Sequence, residues 1–143
     1  MPKWGQVKNF IKMKPSESFP GGGKFALLID EKLCGKRARA ELVELQPQEG
    51  FPVHVHPKSD HLILVVQGQG RLLWQGKERN VVTGDTFVVP RGDEHSIRAG
   101  GGGLRFVVIN VPPIDFHHHD FMVPVEAGSA EEYKVHEHAP HIH

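Results

Sequence analysis

The chain has 143 residues, in which 17 Lys and Arg balance 17 Asp and Glu at a formal net charge of +0. This length suits one domain with a hydrophobic core, and the charge balance argues against a nucleic-acid or membrane-surface partner. The apolar run at residues 62–66 is too short to span a bilayer, and residues 1–6 lack the apolar stretch of a signal peptide, so we expect a cytoplasmic location. Cys34 is the single cysteine, which excludes an internal disulfide, and we expect it to be an inert thiol.

Glycine and proline separate short apolar runs along the whole chain, a pattern that predicts an all-β fold. Residues 1–23 form a lead-in that could add a strand to the sheet edge of a second copy. Strands are predicted in chain order at residues 25–29, 37–45, 53–56, 61–67, 71–75, 80–82, 86–89, 95–98 and 104–111.

The connections between these strands are also predicted. Gly68-Gln69 is predicted to form a two-residue hairpin, and Gly76 and Gly84 are predicted to mark two more turns. Residues 99–103 are predicted to form a glycine-rich loop. Residues 114–143 form a His-rich C-terminal segment with one short helix at 129–133.

Three histidines are expected to share one buried face. His54 and His56 lie two residues apart on a strand, so their side chains point the same way. If residues 57–60 form a hairpin loop, His56 and His61 become a directly opposed pair with Cβ atoms about 5 Å apart. His54 is then diagonal to His61 at about 7–8 Å, and all three rings could reach one ion. An ordinary role for His54 and His56, bonded to backbone or water, stays open.

Two segments resemble the paired motifs of the cupin superfamily. Gly50, His54, His56 and Gly68 match the first motif, and Gly84, Pro90, Gly92 and His95 match the second. The family's glutamate ligand is replaced by His61, and the asparagine that ends the second motif is Ala99. The resemblance implies a jelly-roll-like antiparallel β-barrel, here at residues 24–113, and it places His95 beside the other three histidines.

The resemblance therefore implies one divalent transition metal held by His54, His56, His61 and His95. Four neutral imidazoles would leave the ion its full charge, and they suit iron, copper, nickel or zinc better than manganese. Octahedral coordination would leave two positions open for a substrate.

The expected function is a metal-dependent enzyme, an oxygenase-like oxidoreductase of the dioxygenase kind, acting on a small organic molecule in the barrel. Two alternatives stay open. One is metal-assisted isomerase or lyase chemistry, and the other is a binding or sensor protein without turnover, because a fold does not fix a function.

Several residues outside the four-histidine set have possible secondary roles. The histidines at 117–119 could approach the barrel mouth, those at 136, 138, 141 and 143 are expected to lie in a solvated tail, and Glu94 and Arg105 are possible pocket residues. The strand bearing Leu62 and Leu64 presents apolar side chains outward, so a homodimer is expected.

Overall fold

The computed structural model describes residues 7–19, 22–114 and 123–124, and β-strands dominate these ranges. The strands are β1 Glu17–Ser18, β2 Lys24–Ile29, β3 Arg39–Leu45, β4 His54–Val55, β5 Asp60–Trp74, β6 Lys77–Val82, β7 Thr86–Val89, β8 His95–Val111 and β9 Val123–Pro124. Two 3₁₀ turns, Phe10–Lys12 and Glu31–Cys34, are the helical elements of the described residues. No helix in these ranges is long and apolar enough to cross a membrane.

Strand pairing is antiparallel in every described pair. The long strand β8 is the centre of the sheet, because it pairs with β3, β4 and β5. The other long strand, β5, also pairs with β6 and β7. The predicted all-β antiparallel fold is confirmed, but no pairing within the described ranges closes the sheet into a complete barrel.

The core lies on the inner face of this sheet. Side chains alternate between the two faces of a strand, so Val43 and Leu45 of β3 point to the same side as Phe106 and Val108 of β8. All four are buried and belong to one apolar cluster. Burial of each such side chain contributes about 1.5–3 kcal/mol, so this cluster fixes which face of each strand is internal.

The hairpin predicted at Gly68-Gln69 is wrong, because β5 runs through it without a break. A Cβ atom added at Gly68 would lie 2.3 Å from the carbonyl oxygen of Gly103, and one at Gly70 would lie 2.4 Å from that of Arg98. These glycines let β5 lie close against β8 and do not reverse the chain. The turns predicted at Gly76 and Gly84 are confirmed.

The loop predicted at residues 99–103 is also wrong, because these residues lie inside β8. The amide of Ala99 donates to the carbonyl of Glu49 at 2.8 Å, and the amide of Gln48 donates to the carbonyl of Gly100 at 3.2 Å. The β5–β8 register shifts between Gly68 and Gly70, which accommodates the extra residues of β8. The two backbone hydrogen bonds to residues 48 and 49 hold the start of the glycine run beside the segment that follows β3.

The hairpin predicted between His56 and His61 is a third error. β4 pairs with β8 and β9, and His54 lies opposite His95. β5 instead places His61 opposite Asn110 of β8. Residues 56–59 therefore connect two strands that are not partners in the described structure, and β8 brings the histidines together by pairing with both.

The proposed division into residues 1–23, 24–113 and 114–143 stays a prediction. In this structure β1, which belongs to the first of these segments, pairs with β2 of its own chain. The predicted helix at 129–133 and the histidines at 117–119, 136, 138, 141 and 143 lie outside the described residues.

Candidate metal centre

Four histidines surround one cavity on the inner face of the sheet: His54, His56, His61 and His95. Each is between 3% and 8% exposed. His54 and His95 are cross-strand partners, and their ring centroids are 4.3 Å apart. The ring of His56 lies 4.8 Å from that of His54 and 5.2 Å from that of His95. The structure thus brings together residues that lie up to 41 positions apart in the sequence.

Three of these residues form a group that could hold a metal ion. One ring nitrogen from each of His54, His56 and His95 lies within 4.8 Å of the other two. Nitrogen ligands bound to one ion at about 2.0–2.1 Å lie no more than about 4 Å from one another. Small side-chain rotations would therefore complete the site.

Hydrogen bonds fix which nitrogen of two of these rings is available. Nδ1 of His54 lies at the carbonyl of Pro52, and Nδ1 of His95 lies 3.0 Å from the carbonyl of Asp93. A carbonyl oxygen can only accept, so each neutral ring donates Nδ1–H to it. The lone pair on Nε2 is then free for a metal, an arrangement typical of histidine ligands.

His61 occupies a different position in the cluster. Its ring stacks on His56 with centroids 3.8 Å apart and planes at 22°, and it lies 5.9 Å from His95. It is outside the group of three with converging nitrogens. Its Nε2 is buried and has no hydrogen-bond partner among the described residues. His61 as the fourth ligand therefore stays a prediction, but the buried orphan atom fits a missing metal ion.

Burial keeps His54, His61 and His95 neutral. It lowers the pKa of His54 and His61 well below the ordinary value, and repulsion from neighbouring rings adds to the effect. Burial also lowers the pKa of His95 to about 4, although Asp93 opposes the shift. Metals bind neutral imidazole, so at pH 7 these three histidines are already in the required form.

The cavity beside the histidines is mainly apolar. Its volume is about 60 Å³, and its apolar wall is formed by Phe19, Val43, Phe51, Ile63, Leu72, Ile97, Phe106, Val108 and Ile114. A space of this size holds a few water molecules or a small part of a substrate next to an ion, because one water needs about 10–15 Å³.

Two polar residues of the cavity wall, Glu41 and Asn110, are not among the predicted site residues. Both are only 1% exposed. The carboxylate of Glu41 accepts a hydrogen bond from Arg39 Nε at 2.8 Å and another from Asn110 Nδ2 at 3.1 Å. Burial raises the pKa of Glu41, and the Arg39 guanidinium opposes this shift. The alternation of side chains along a strand could have placed both residues on the inner face. Glu41 shares a face with the apolar Val43, and Asn110 shares one with the apolar Val108.

The two predicted pocket residues, Glu94 and Arg105, do not line this cavity. Arg105 donates to the carbonyl of Met13 at 2.6 Å, outside the site. Trp74 contributes indirectly, because its indole donates to the Asp93 carboxylate at 3.0 Å and so holds the loop before His95.

Cys34 lies apart from the cavity residues. It is a free cysteine at the end of the second 3₁₀ turn, and its thiol donates to the carbonyl of Ala38 at 3.2 Å.

Comparisons with known proteins agree with this architecture. The chain is 28% identical over 94 residues to the tetracenomycin polyketide synthase protein TcmJ of Streptomyces glaucescens, covering 66% of this chain and 63% of that protein. It is 36% identical over 61 residues to the HTH-type transcriptional activator RhaR of Pectobacterium carotovorum, covering 43% of this chain and 21% of that protein. The chain thus spans less than two thirds of the length of both relatives.

A solved structure gives the same fold. The polyketide cyclase RemF of Streptomyces resistomycificus superposes with a TM-score of 0.69 at 24% identity, and the match covers 92% of each chain. Residues 41–112, which contain all four histidines as well as Glu41 and Asn110, match the model of the Cupin domain family. The chain therefore belongs to the cupin family.

Proposed function

We propose that this protein is a metal-dependent enzyme that acts on an oxygen-bearing small organic molecule in the histidine-lined cavity. The observation that supports this most is the group formed by His54, His56 and His95, whose ring nitrogens converge on the inner face of the sheet. The orphaned Nε2 of His61 beside them supports a fourth ligand. Imidazole ligands suit zinc, iron, copper or nickel.

A divalent ion bound there would supply Lewis-acid polarisation of a carbonyl or enol oxygen. The protein's own contribution is to hold the rings and to limit water. The carbonyls of Pro52 and Asp93 orient two of the ligands, and Phe51 and Phe106 belong to the apolar wall. A low-dielectric wall strengthens any charge interaction inside the cavity.

Redox-neutral chemistry, such as cyclisation or isomerisation, is the reaction class that we favour. The named relatives include a polyketide synthase protein and a polyketide cyclase, whose names point to substrates with several oxygen groups. Neutral ligands also leave the ion strongly electrophilic, which suits polarisation of a carbonyl. The predicted dioxygenase activity has no specific support from these comparisons and stays a prediction.

The test uses a simple β-diketone in deuterated buffer, with protein purified without a metal-affinity step and loaded with zinc under anaerobic conditions. Metal-bound enolisation would speed exchange of the α-protons, which proton NMR follows directly. We expect exchange to require zinc and to be lost in His56→Ala, whereas Cys34→Ser, which lies apart from the cavity, retains it. Equal exchange by the wild type and His56→Ala, together with equal zinc content, would contradict the proposal.

The same protein preparation also tests for oxygenase activity. Iron(II)-loaded protein is exposed to oxygen in the presence of the diketone, and oxygen uptake is measured with an electrode. Uptake that depends on His56 would favour the oxygenase over redox-neutral chemistry, because cyclisation and isomerisation consume no oxygen.

A ligand-binding protein without turnover is the second candidate, and the similarity to RhaR supports it. In that case zinc-loaded protein would bind the diketone, measured by calorimetry, without accelerating exchange of its α-protons. Binding and exchange measured on one sample therefore separate the two candidates.

A further inference from the structure

Asn110 carries a buried atom that lacks a partner. Its side chain is 1% exposed and lies on the cavity wall, yet Oδ1 has no hydrogen bond to any described residue. A buried carbonyl oxygen without a donor destabilises the folded protein, so such an atom is expected to have a function.

The hydrogen bond formed by the amide nitrogen of Asn110 fixes the orientation of its side-chain amide. Nδ2 of Asn110 lies 3.1 Å from Oε1 of Glu41. An ionised carboxylate can only accept, so the NH₂ group must face Glu41 and the oxygen must face away from it. Arg39 anchors Glu41 from the opposite side through an ion pair of 2.8 Å. The orientation of the Asn110 amide is therefore determined by its neighbours on β3.

On the side of β8 that faces β5, the cross-strand neighbour of Asn110 is His61. The two residues are directly paired between β5 and β8, and both are buried on the inner face. Two other cluster members, His54 and His95, direct Nδ1 at a carbonyl oxygen and keep Nε2 for a metal. Within the described part of the chain, no hydrogen bond of this kind is formed by His61.

We propose that Asn110 is a positioning residue for His61: in the metal-bound protein its Oδ1, which has no partner among the described residues, accepts the Nδ1–H of His61 and thereby directs Nε2 of that ring to the metal. The proposal rests on the proposed function, because it assumes that the histidine cluster binds an ion. It assigns a role to the series Arg39, Glu41, Asn110 and His61, in which each side chain fixes the next. The carboxylate is then an anchor and not a metal ligand.

The direct test is the tautomer of His61 in zinc-loaded protein labelled with ¹⁵N-histidine. Long-range ¹H–¹⁵N correlation spectra should show zinc on Nε2 of His61 and a slowly exchanging proton on Nδ1. This measurement needs no variant and no activity. Zinc bound through Nδ1 of His61, or no zinc on His61, would overturn the proposal while leaving the other three ligands and the proposed function intact.

Zinc affinity provides the second readout, measured by competition with a chelating dye. We expect Asn110→Leu to weaken zinc binding about 10–100-fold, because supporting hydrogen bonds of metal ligands have effects of this size. Asn110→Asp keeps an acceptor oxygen and should retain the Nδ1 proton of His61. Leu104→Val removes volume from the same face of β8 away from the cavity wall and should bind zinc as the wild type does.

The outcomes are distinguishable. Wild-type affinity in Asn110→Leu would contradict the role of Asn110, and equal losses in Asn110→Leu and Leu104→Val would reduce it to packing. Failure of the wild type itself to bind zinc, iron(II), copper(II) or nickel(II) would refute the proposed function as well.

Discussion

The metal-free protein should lose stability on acidification because its ligand histidines are held neutral. The pKa of His95 is lowered to about 4, against an ordinary value of 6.5. Between these two pH values the unfolded chain binds a proton at His95 that the folded chain does not bind, so stability falls as pH falls. From pH 7 to pH 5 this one residue costs about 2 kcal/mol. His54 and His61 act in the same direction, since their pKa values are also lowered.

One buried group opposes this trend. The pKa of Glu41 is raised by burial, so its protonation favours the folded state as pH falls. The net slope is nevertheless set by the histidines, because three of them are shifted downward against this one carboxyl group.

The assay is urea denaturation of chelator-treated protein at pH 7 and pH 5, in the wild type and in His95→Gln. Removal of His95 should reduce the difference in free energy of unfolding between the two pH values by about 2 kcal/mol, whatever its effect on absolute stability. If both proteins show the same pH dependence, the inferred neutrality of His95 in the folded state is wrong. Saturating zinc should raise stability by nearly the same amount at pH 7 and at pH 5, because His54, His61 and His95 of the folded protein are neutral at both pH values and protons hardly compete with the ion.

Three further predictions follow from other parts of the structure. Trp74→Phe removes the hydrogen bond to Asp93 and should weaken zinc binding about 10-fold in a dye competition, without loss of the fold. Gly68→Ala should lower the free energy of unfolding, measured by urea denaturation, by more than about 2 kcal/mol, because the added Cβ would lie 2.3 Å from a backbone oxygen. Gly76→Ala is the control: its Cβ would have no atom within 4 Å, and it should lower the free energy of unfolding by only about 1–2 kcal/mol. We propose a homodimer through the outer face of β5, where Leu64 is 40% exposed. Light scattering should then give twice the chain mass of 16.0 kDa, and Leu64→Lys a monomer. A wild-type monomer would exclude the dimer.

Short apolar runs separated by glycine and proline made much of the fold predictable. The segments predicted from these runs in the regions of β3, β5 and β8 overlap the observed strands. The merging of predicted segments into the long β5 and β8 was not predictable. Gly68 has a φ of +99°, which suits a tight turn as well as a close approach of two strands. Local sequence cannot distinguish the two, because the deciding contact is with Gly103.

In the candidate site, too, sequence spacing predicts some residues, whereas others depend on strand pairing. His54 and His56 were predictable from their spacing, and their shared face is observed. His61 was placed in the cluster for a wrong reason, because its strand pairs with β8 and not with β4. Glu41 and Asn110 were missed because strand alternation can place a polar residue on the inner face but gives no sign of its partner across the sheet.

The distribution of charge around the cavity gives the histidine cluster its chemical character. Among the described residues that line the cavity, Glu41 is the only carboxylate, and it is held by Arg39 at 2.8 Å. Its negative charge is therefore balanced by the guanidinium and is not available to an ion among the rings. His61, which replaces the family's glutamate, contributes no charge either. An ion in this cluster would keep its full +2 charge in an apolar cavity, where an anionic enolate oxygen of a substrate is the ligand best suited to balance it.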